Sequence, residues 1–591
     1  MENWNKYQPG LVDHEGDRES SCGSHDLEKT MTGESGKTVV RTATGQAQIG
    51  ADDEDVGIDS KTFIACLAIS FLWTGSQIPL YMLLACVEYQ LADIGGATIQ
   101  IWYILGPLTA LAAVSPIAGS LSDIFGRRWT ILIGGFLLLT GLILNGTAQG
   151  PTQVIIGFPF TGIGAALLEI NALAAVNEIA PNKLRGFYTS MLIWTIIPFA
   201  PLGIYALELA ENVSWRWNVW IPVIWSGIGQ VLVFFFYHPP PRVFHGKVRT
   251  MSERFNMIDW PGFALTLSGI VLFLVGLGTG GYTRPWNSAL PITLIVVGFA
   301  LCVASGFWMT KAKNPLFPPG MFKNARVFTL TLVITAVAGA NFFSILILWP
   351  KFVSTVFVPS ALLGGCLIMA QTLGVLFGAG FFSWTITKFQ GSIRPQMMIS
   401  CVFMIVGFGS LAAVGYEDNL LAGFMVCLGG IGIGGIIIPA SVITQLASPD
   451  EYLGTVTAFT FVARVIGGAI GFTVYYYILN KEMKHLFESF ATNKASLNVV
   501  QTLLKQGLNT AEITSFLTSF GIDDIKEMRT YTKVPPRILL LLRYQARPIW
   551  AQGFQDVWYT TIAFSALGLI CSAFLGDVRK YMTGHRAVVM H

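Results

Sequence analysis

From Lys61 onward the chain alternates long apolar runs with short polar connections, and each run reaches the roughly 20 residues that a helix needs to cross a bilayer. The runs lie at 62–87, 100–118, 130–148, 154–175, 188–209, 219–237, 260–280, 290–310, 328–349, 361–386, 397–415, 421–447, 456–479 and 558–574. This pattern predicts an all-α integral membrane protein of fourteen transmembrane helices. An even number places both termini on one side. With the N-terminus inside, the short inner connections hold fourteen Lys and Arg residues, among them Arg127, Arg128, Lys183, Arg185 and Lys388, and the short outer ones hold only Arg216, Arg284 and Lys351. The positive-inside rule therefore puts both termini in the cytoplasm.

The connections also divide the chain. Residues 1–60 are polar, acidic and without apolar periodicity, and are expected to form a disordered cytoplasmic tail. Gly33-Glu34-Ser35-Gly36-Lys37-Thr38 in this tail looks like the end of a phosphate-binding loop, but the loop's first glycine would fall on Met31 and no buried strand precedes it. ATP binding is not expected there. Linkers rich in proline and basic residues follow the sixth and eighth runs, so six helices (61–238), a linker with two extra helices (239–327) and six more helices (328–577) are expected. A polar insertion at 480–557 carries a helix signal, Asn509 with Glu512 and Gly521, and is expected to cover the outer mouth. Residues 578–591 are expected to form a short cytoplasmic tail.

Composition narrows the chemistry. With 53% hydrophobic and 12% charged residues the chain is too apolar for a soluble domain. The net charge of +3 comes from residues flanking the spans, so nucleic acid is not an expected partner. Seven of the eight cysteines lie in apolar segments without a CxxC, and all seven histidines fall outside the spans. Disulfides, metal sites, cofactors and a membrane enzyme are not expected. Asn145 and Asn212 head glycosylation sequons close to helix ends.

The most specific motif is the turn between the second and third runs, Gly119-Ser120-Leu121-Ser122-Asp123-Ile124-Phe125-Gly126-Arg127-Arg128. It resembles the signature loop between helices 2 and 3 of the major facilitator superfamily. The matching place in the second half, Lys388 to Arg394, has Lys388 where the aspartate would be. Further stretches resemble the fungal trichothecene efflux pump family, with siderophore iron transporters as relatives: Leu91-Ala92-Asp93-Ile94-Gly95, Glu178-Ile179-Ala180-Pro181-Asn182-Lys183-Leu184-Arg185-Gly186, Ser214-Trp215-Arg216-Trp217, Ile258-Asp259-Trp260-Pro261-Gly262 and Arg464-Val465-Ile466-Gly467-Gly468.

The resemblance implies a major facilitator fold of two related halves with a substrate site between them. It implies a monomeric plasma-membrane carrier that exports a toxic small molecule against protons, and a clasp of Asp123, Arg127 and Arg128 with Gly119 and Gly126 that closes the cytoplasmic face. A siderophore importer of the same fold is the alternative, and a membrane sensor signalling through the tail is a third reading. Departures matter for coupling: an arginine common early in helix 4 falls on Phe158, the proline and glycine motif of helix 5 is reduced to Pro198-Phe199-Ala200-Pro201-Leu202-Gly203, and helix 1 carries Gln77 in place of an aspartate.

Ionisable residues inside spans are costly and so are functional candidates. Two stand out, Glu169 in the fourth run and Arg464 in the thirteenth. Glu169 is the candidate proton carrier, with snorkelling or structural pairing as the bland reading; Arg464 is a candidate for a substrate oxygen or for a structural pair. Gln77, Asn171, Asn341 and Gln371 are candidate polar groups of the substrate cavity, and Trp73, Trp194, Phe342 and Phe343 candidate apolar surface.

Overall fold

A computed structural model describes residues 39–41, 47–49, 60–95, 100–180, 182–239, 250–280, 284–317, 325–357, 360–389, 393–448, 452–492, 544–576 and 578. The chain divides into two compact units, and the smaller includes Met1–Glu54. That unit is described at one antiparallel hairpin, β1 (Val39–Arg41) paired with β2 (Ala47–Ile49) so that Val39 faces Ile49. This short hairpin lies in the stretch expected to be disordered, and β-branched Val39 and Val40 favour it. The phosphate-loop look-alike, the helix signal at Asn509 and the tail beyond Val578 lie outside the described residues.

The larger unit is helical, and thirteen of its helices are long and apolar enough to cross a membrane among the described residues. The first group comprises α1 (Ser60–Ala85), α2 (Val87–Ile94), α3 (Gln100–Phe125), α4 (Arg127–Gly146), α5 (Pro151–Ile179), α6 (Arg185–Trp194), α7 (Leu202–Asn212) and α8 (Trp217–Phe236). The fifth expected span is not one helix. It is broken between α6 and α7 by a 3-10 turn at Ile197–Phe199. Pro198 and Pro201 cannot donate to the helical ladder, and two such residues three apart interrupt it.

After the short α9 (Met251–Phe255), the hairpin of α10 (Trp260–Thr279) and α11 (Ala289–Lys311) leans on α3. Within it Thr266 and Ser305 share a buried hydrogen bond of 2.7 Å, and Leu290, Val296, Phe299 and Phe307 are exposed, as expected of a lipid-facing helix. The second group is α12 (Ala325–Phe352), continued by a π-turn at Val353–Phe357, with α13 (Ala361–Lys388), α14 (Ile393–Ser410), α15 (Asn419–Leu446), α16 (Leu453–Thr492) and α17 (Arg547–Ala573). The polar insertion expected at 480–557 is helical at both ends. At about 1.5 Å per residue, the 40 residues of α16 run about 60 Å, well beyond a hydrocarbon core of about 30 Å. Met483 and Phe487 on this extension are buried with Trp550 and Phe554 of α17, which explains why a polar sequence stays helical there.

The two groups meet along α3 with α16 and along α6 and α7 with α13. The first contact depends on Gly119: a Cβ there would strike the Gly454 carbonyl and the Ala458 side chain. Such close backbone approach is what small residues provide in membrane helices. On the second contact, the Phe187 amide donates to Thr387 Oγ1 at 3.0 Å and Ser190 Oγ to the Gly380 carbonyl at 3.1 Å.

Candidate functional site

Two charged constellations join the groups. The first is built on the turn between α3 and α4, where Gly126 adopts φ 97°, a left-handed value that a residue with a side chain adopts only with strain. The turn swings Arg127 back toward Asp123, whose Oδ1 accepts from Arg127 Nη2 at 2.6 Å. Glu178 Oε1, at the end of α5, accepts from Arg127 Nε at 3.0 Å and from Nη2 at 2.5 Å, and Ser122 Oγ also meets the guanidinium. Asp123 then reaches the start of α16. It accepts from the amides of Gly454 (3.2 Å) and Thr455 (2.8 Å) and from the Thr455 hydroxyl (2.6 Å). These amides are among the donors that a helix start leaves unmatched, and a carboxylate there also meets the positive end of the helix dipole. All three charged groups are buried.

Glu178 entered the sequence reading only as the first residue of a family-like stretch, and Thr455 not at all, because nothing in either segment shows that it meets Arg127 or Asp123. Arg128 is not part of this constellation: its Nη2 donates to the Phe234 carbonyl at 2.9 Å, with its guanidinium 5.8 Å from that ring. Arg185, an inner positive charge in the same family-like stretch, is also buried and donates from Nε to the Asn177 carbonyl at 3.1 Å.

The second constellation lies at mid-depth. Arg464 Nη2 of α16 meets Glu169 Oε1 of α5 at 2.5 Å, with side chains 9% and 5% exposed. Counting about 1.5 Å per residue, Glu169 stands about 15 Å from the Asp123 end of α5 and Arg464 about 16 Å from the start of α16, so the pair falls near the middle of a bilayer. Gly339 of α12 lets the α12 and α16 backbones meet closely beside the pair, since a Cβ there would strike the Arg464 carbonyl. The guanidinium lies 4.1 Å from the Phe461 ring, and its Nε is buried without an acceptor.

Glu169 is also the inner limit of a cavity among α1, α3 and α5. Leu84, Tyr103 and Phe158 line its other end, so it extends from the ion pair away from Asp123. Its walls are mainly apolar, with Ser76, Gln77 and Thr161 as polar groups; Gln77 donates to Ser76 Oγ at 3.2 Å. Phe158, in the position of the missing arginine, stacks edge-on with Tyr103 at 5.8 Å.

The other sequence candidates fall elsewhere. Asn171 is turned about 200° around α5 from Glu169 and donates to the Leu167 carbonyl of its own helix at 2.6 Å. Asn341 is enclosed in the second group, accepting from Tyr475 at 2.6 Å and donating to Ser565 at 2.9 Å. Gln371 is buried on α13, outside the cavity lining. Trp73, Phe342 and Phe343 are buried, whereas Trp194 is exposed. Asn145 is also buried, which closes its sequon to modification. Among the described residues no group of His, Cys, Asp or Glu is placed to hold a metal.

The model of the fungal trichothecene efflux pump family matches residues 65–591. The chain belongs to this family. It is 25% identical over 485 residues to a trichothecene efflux pump of Fusarium sporotrichioides, covering 79% of this chain and 78% of that one. A transporter of the major facilitator type from Penicillium citrinum is 24% identical over 575 residues, covering 95% and 91%. Among solved structures, the xylose transporter XylE of E. coli in a partially occluded inward-open form has a TM-score of 0.47 at 14% identity, covering 70% of this chain and 91% of that chain. The protein is therefore a multi-pass membrane transporter of the major facilitator type, in a family of efflux pumps.

Proposed function

We propose that the protein exports a small, largely apolar organic compound across the plasma membrane in exchange for protons, with Glu169 carrying the proton. The observation that carries this reading is the buried Glu169–Arg464 pair, which joins the two helix groups at the inner limit of the cavity. A proton taken up by Glu169 removes the charge that Arg464 is held by, and so loosens a contact between the groups. Release of the proton on the other side restores it. The carboxylate thereby favours different arrangements in its two protonation states, which is what coupling a proton to reorientation requires. The cavity offers apolar walls with a few polar groups, the kind of lining that suits a small, largely apolar organic molecule. Six helices, an inserted pair and six more, with the turn at Asp123 facing the cytoplasm, is the arrangement that the connections and the packing support.

Flux in proteoliposomes under an imposed pH gradient, over a panel of toxic terpenoids, azoles and ferric siderophores, tests the reading. Wild type is expected to move an organic toxin, and both Glu169→Gln and the double variant Glu169→Gln/Arg464→Gln to lose gradient-driven movement. Movement of the ferric chelate alone, or gradient-driven flux retained in the variants, overturns it.

A further inference from the structure

We infer that only one half of the transport cycle carries charge: the substrate-loaded form reorients with an uncharged molecule and a balanced ion pair, and the proton-loaded form carries one positive charge through the membrane field. This rests on the reading of Glu169 as the proton carrier.

The charge count follows from the site. With Glu169 ionised, the carboxylate and the Arg464 guanidinium lie 2.5 Å apart and sum to zero. Arginine does not lose its proton in proteins, so only the carboxylate can change this sum. The titratable and charged groups around it are Arg464 from α16 and the hydroxyls of Tyr81 from α1 and Tyr103 from α3, and every other residue lining the cavity is uncharged. While Glu169 and Arg464 are paired, a charged substrate of either sign would leave water for a site without a free counter-charge, a desolvation that is not repaid. An uncharged molecule meets no such cost.

When a proton from water binds Glu169, the carboxyl becomes neutral and Arg464 stands as one unbalanced positive charge near mid-membrane. Reorientation in this form moves that charge across the field. One proton enters for each uncharged molecule that leaves, so a complete cycle moves one positive charge opposite to the substrate. Exchange of substrate for substrate uses the balanced form alone and moves none.

The test uses the full-length protein on a solid-supported membrane, with protons as the probe. A downward pH jump without substrate is expected to give a transient current in wild type that Glu169→Gln/Arg464→Gln, whose amide pair keeps the contact, lacks. No wild-type current, or an equal current in the double variant, overturns the inference. A second measurement uses a tritiated trichothecene in proteoliposomes with valinomycin. An about tenfold potassium gradient should change net accumulation by up to about tenfold for one charge and leave substrate exchange unchanged. Gradient-driven flux that ignores the potential overturns the charge assignment and leaves proton antiport standing, whereas loss of both pH-driven flux and pH-jump current removes both. If the trichothecene does not move, the current decides.

Discussion

The two members of the mid-depth pair are not equivalent, and the difference can be measured. Breaking a buried ion pair by removing one partner costs about 3–5 kcal/mol, because the survivor is left charged without compensation. Glu169 left alone can take a proton and become neutral; Arg464 left alone cannot. Glu169→Gln is therefore expected to lower the unfolding temperature in detergent at neutral pH more than Arg464→Gln does, and the double variant less than Glu169→Gln alone. Equal shifts for the two single variants would show that the pair contributes no charge balance to the fold. At the other end of the membrane spans the same chemistry is only half-buried: Asp93 accepts from Trp215 Nε1 (2.9 Å) and Arg216 Nη1 (2.6 Å), and these hydrogen bonds hold its carboxyl below the usual range. With both side chains about a third or more exposed, solvent screening leaves that pair as a positioning contact for the start of α8.

At the scale of elements, Asp123 acts as a cap for a helix in the other group. Asn can still cap a helix, so Asp123→Asn removes only the negative charge at the start of α16, worth about 0.3–2 kcal/mol, and each 1.4 kcal/mol is about tenfold in an equilibrium. Asp123→Asn is expected to shift the balance between open and closed forms by about two- to thirty-fold and to lower transport at unchanged membrane abundance; normal transport at normal abundance would refute the switch. What the sequence made legible follows the same division. The spans could be read because apolar runs of that length seldom occur outside a membrane, and Glu169 and Arg464 because an isolated charge in such a run is conspicuous. Their partnership could not, since it spans 295 positions and joins helices of different groups. The break between α6 and α7 was written in Pro198 and Pro201 but hidden by unbroken hydrophobicity. Asn171 and Asn341 misled because a polar side chain in a span reads the same whether it faces a cavity or a bonded partner.

At the scale of the whole molecule, the contacts at the Asp123 end and the cavity on the other side of the ion pair describe one arrangement of a two-state carrier. Asp123 with α16 and Phe187 with Thr387 both hold the groups together at that end. If transport requires this end to part, a covalent tie there must stop it while leaving the fold intact. Cysteines replacing Phe187 and Thr387, in a chain whose native cysteines have been replaced, should form an oxidation-dependent cross-link. All described native cysteines are free, which makes that background accessible. Oxidation is expected to abolish flux, and a reductant to restore it. Flux that persists when gel shift shows complete cross-linking would mean that substrate crosses without separation of α6 from α13, and the rocking of one group against the other would have to be abandoned.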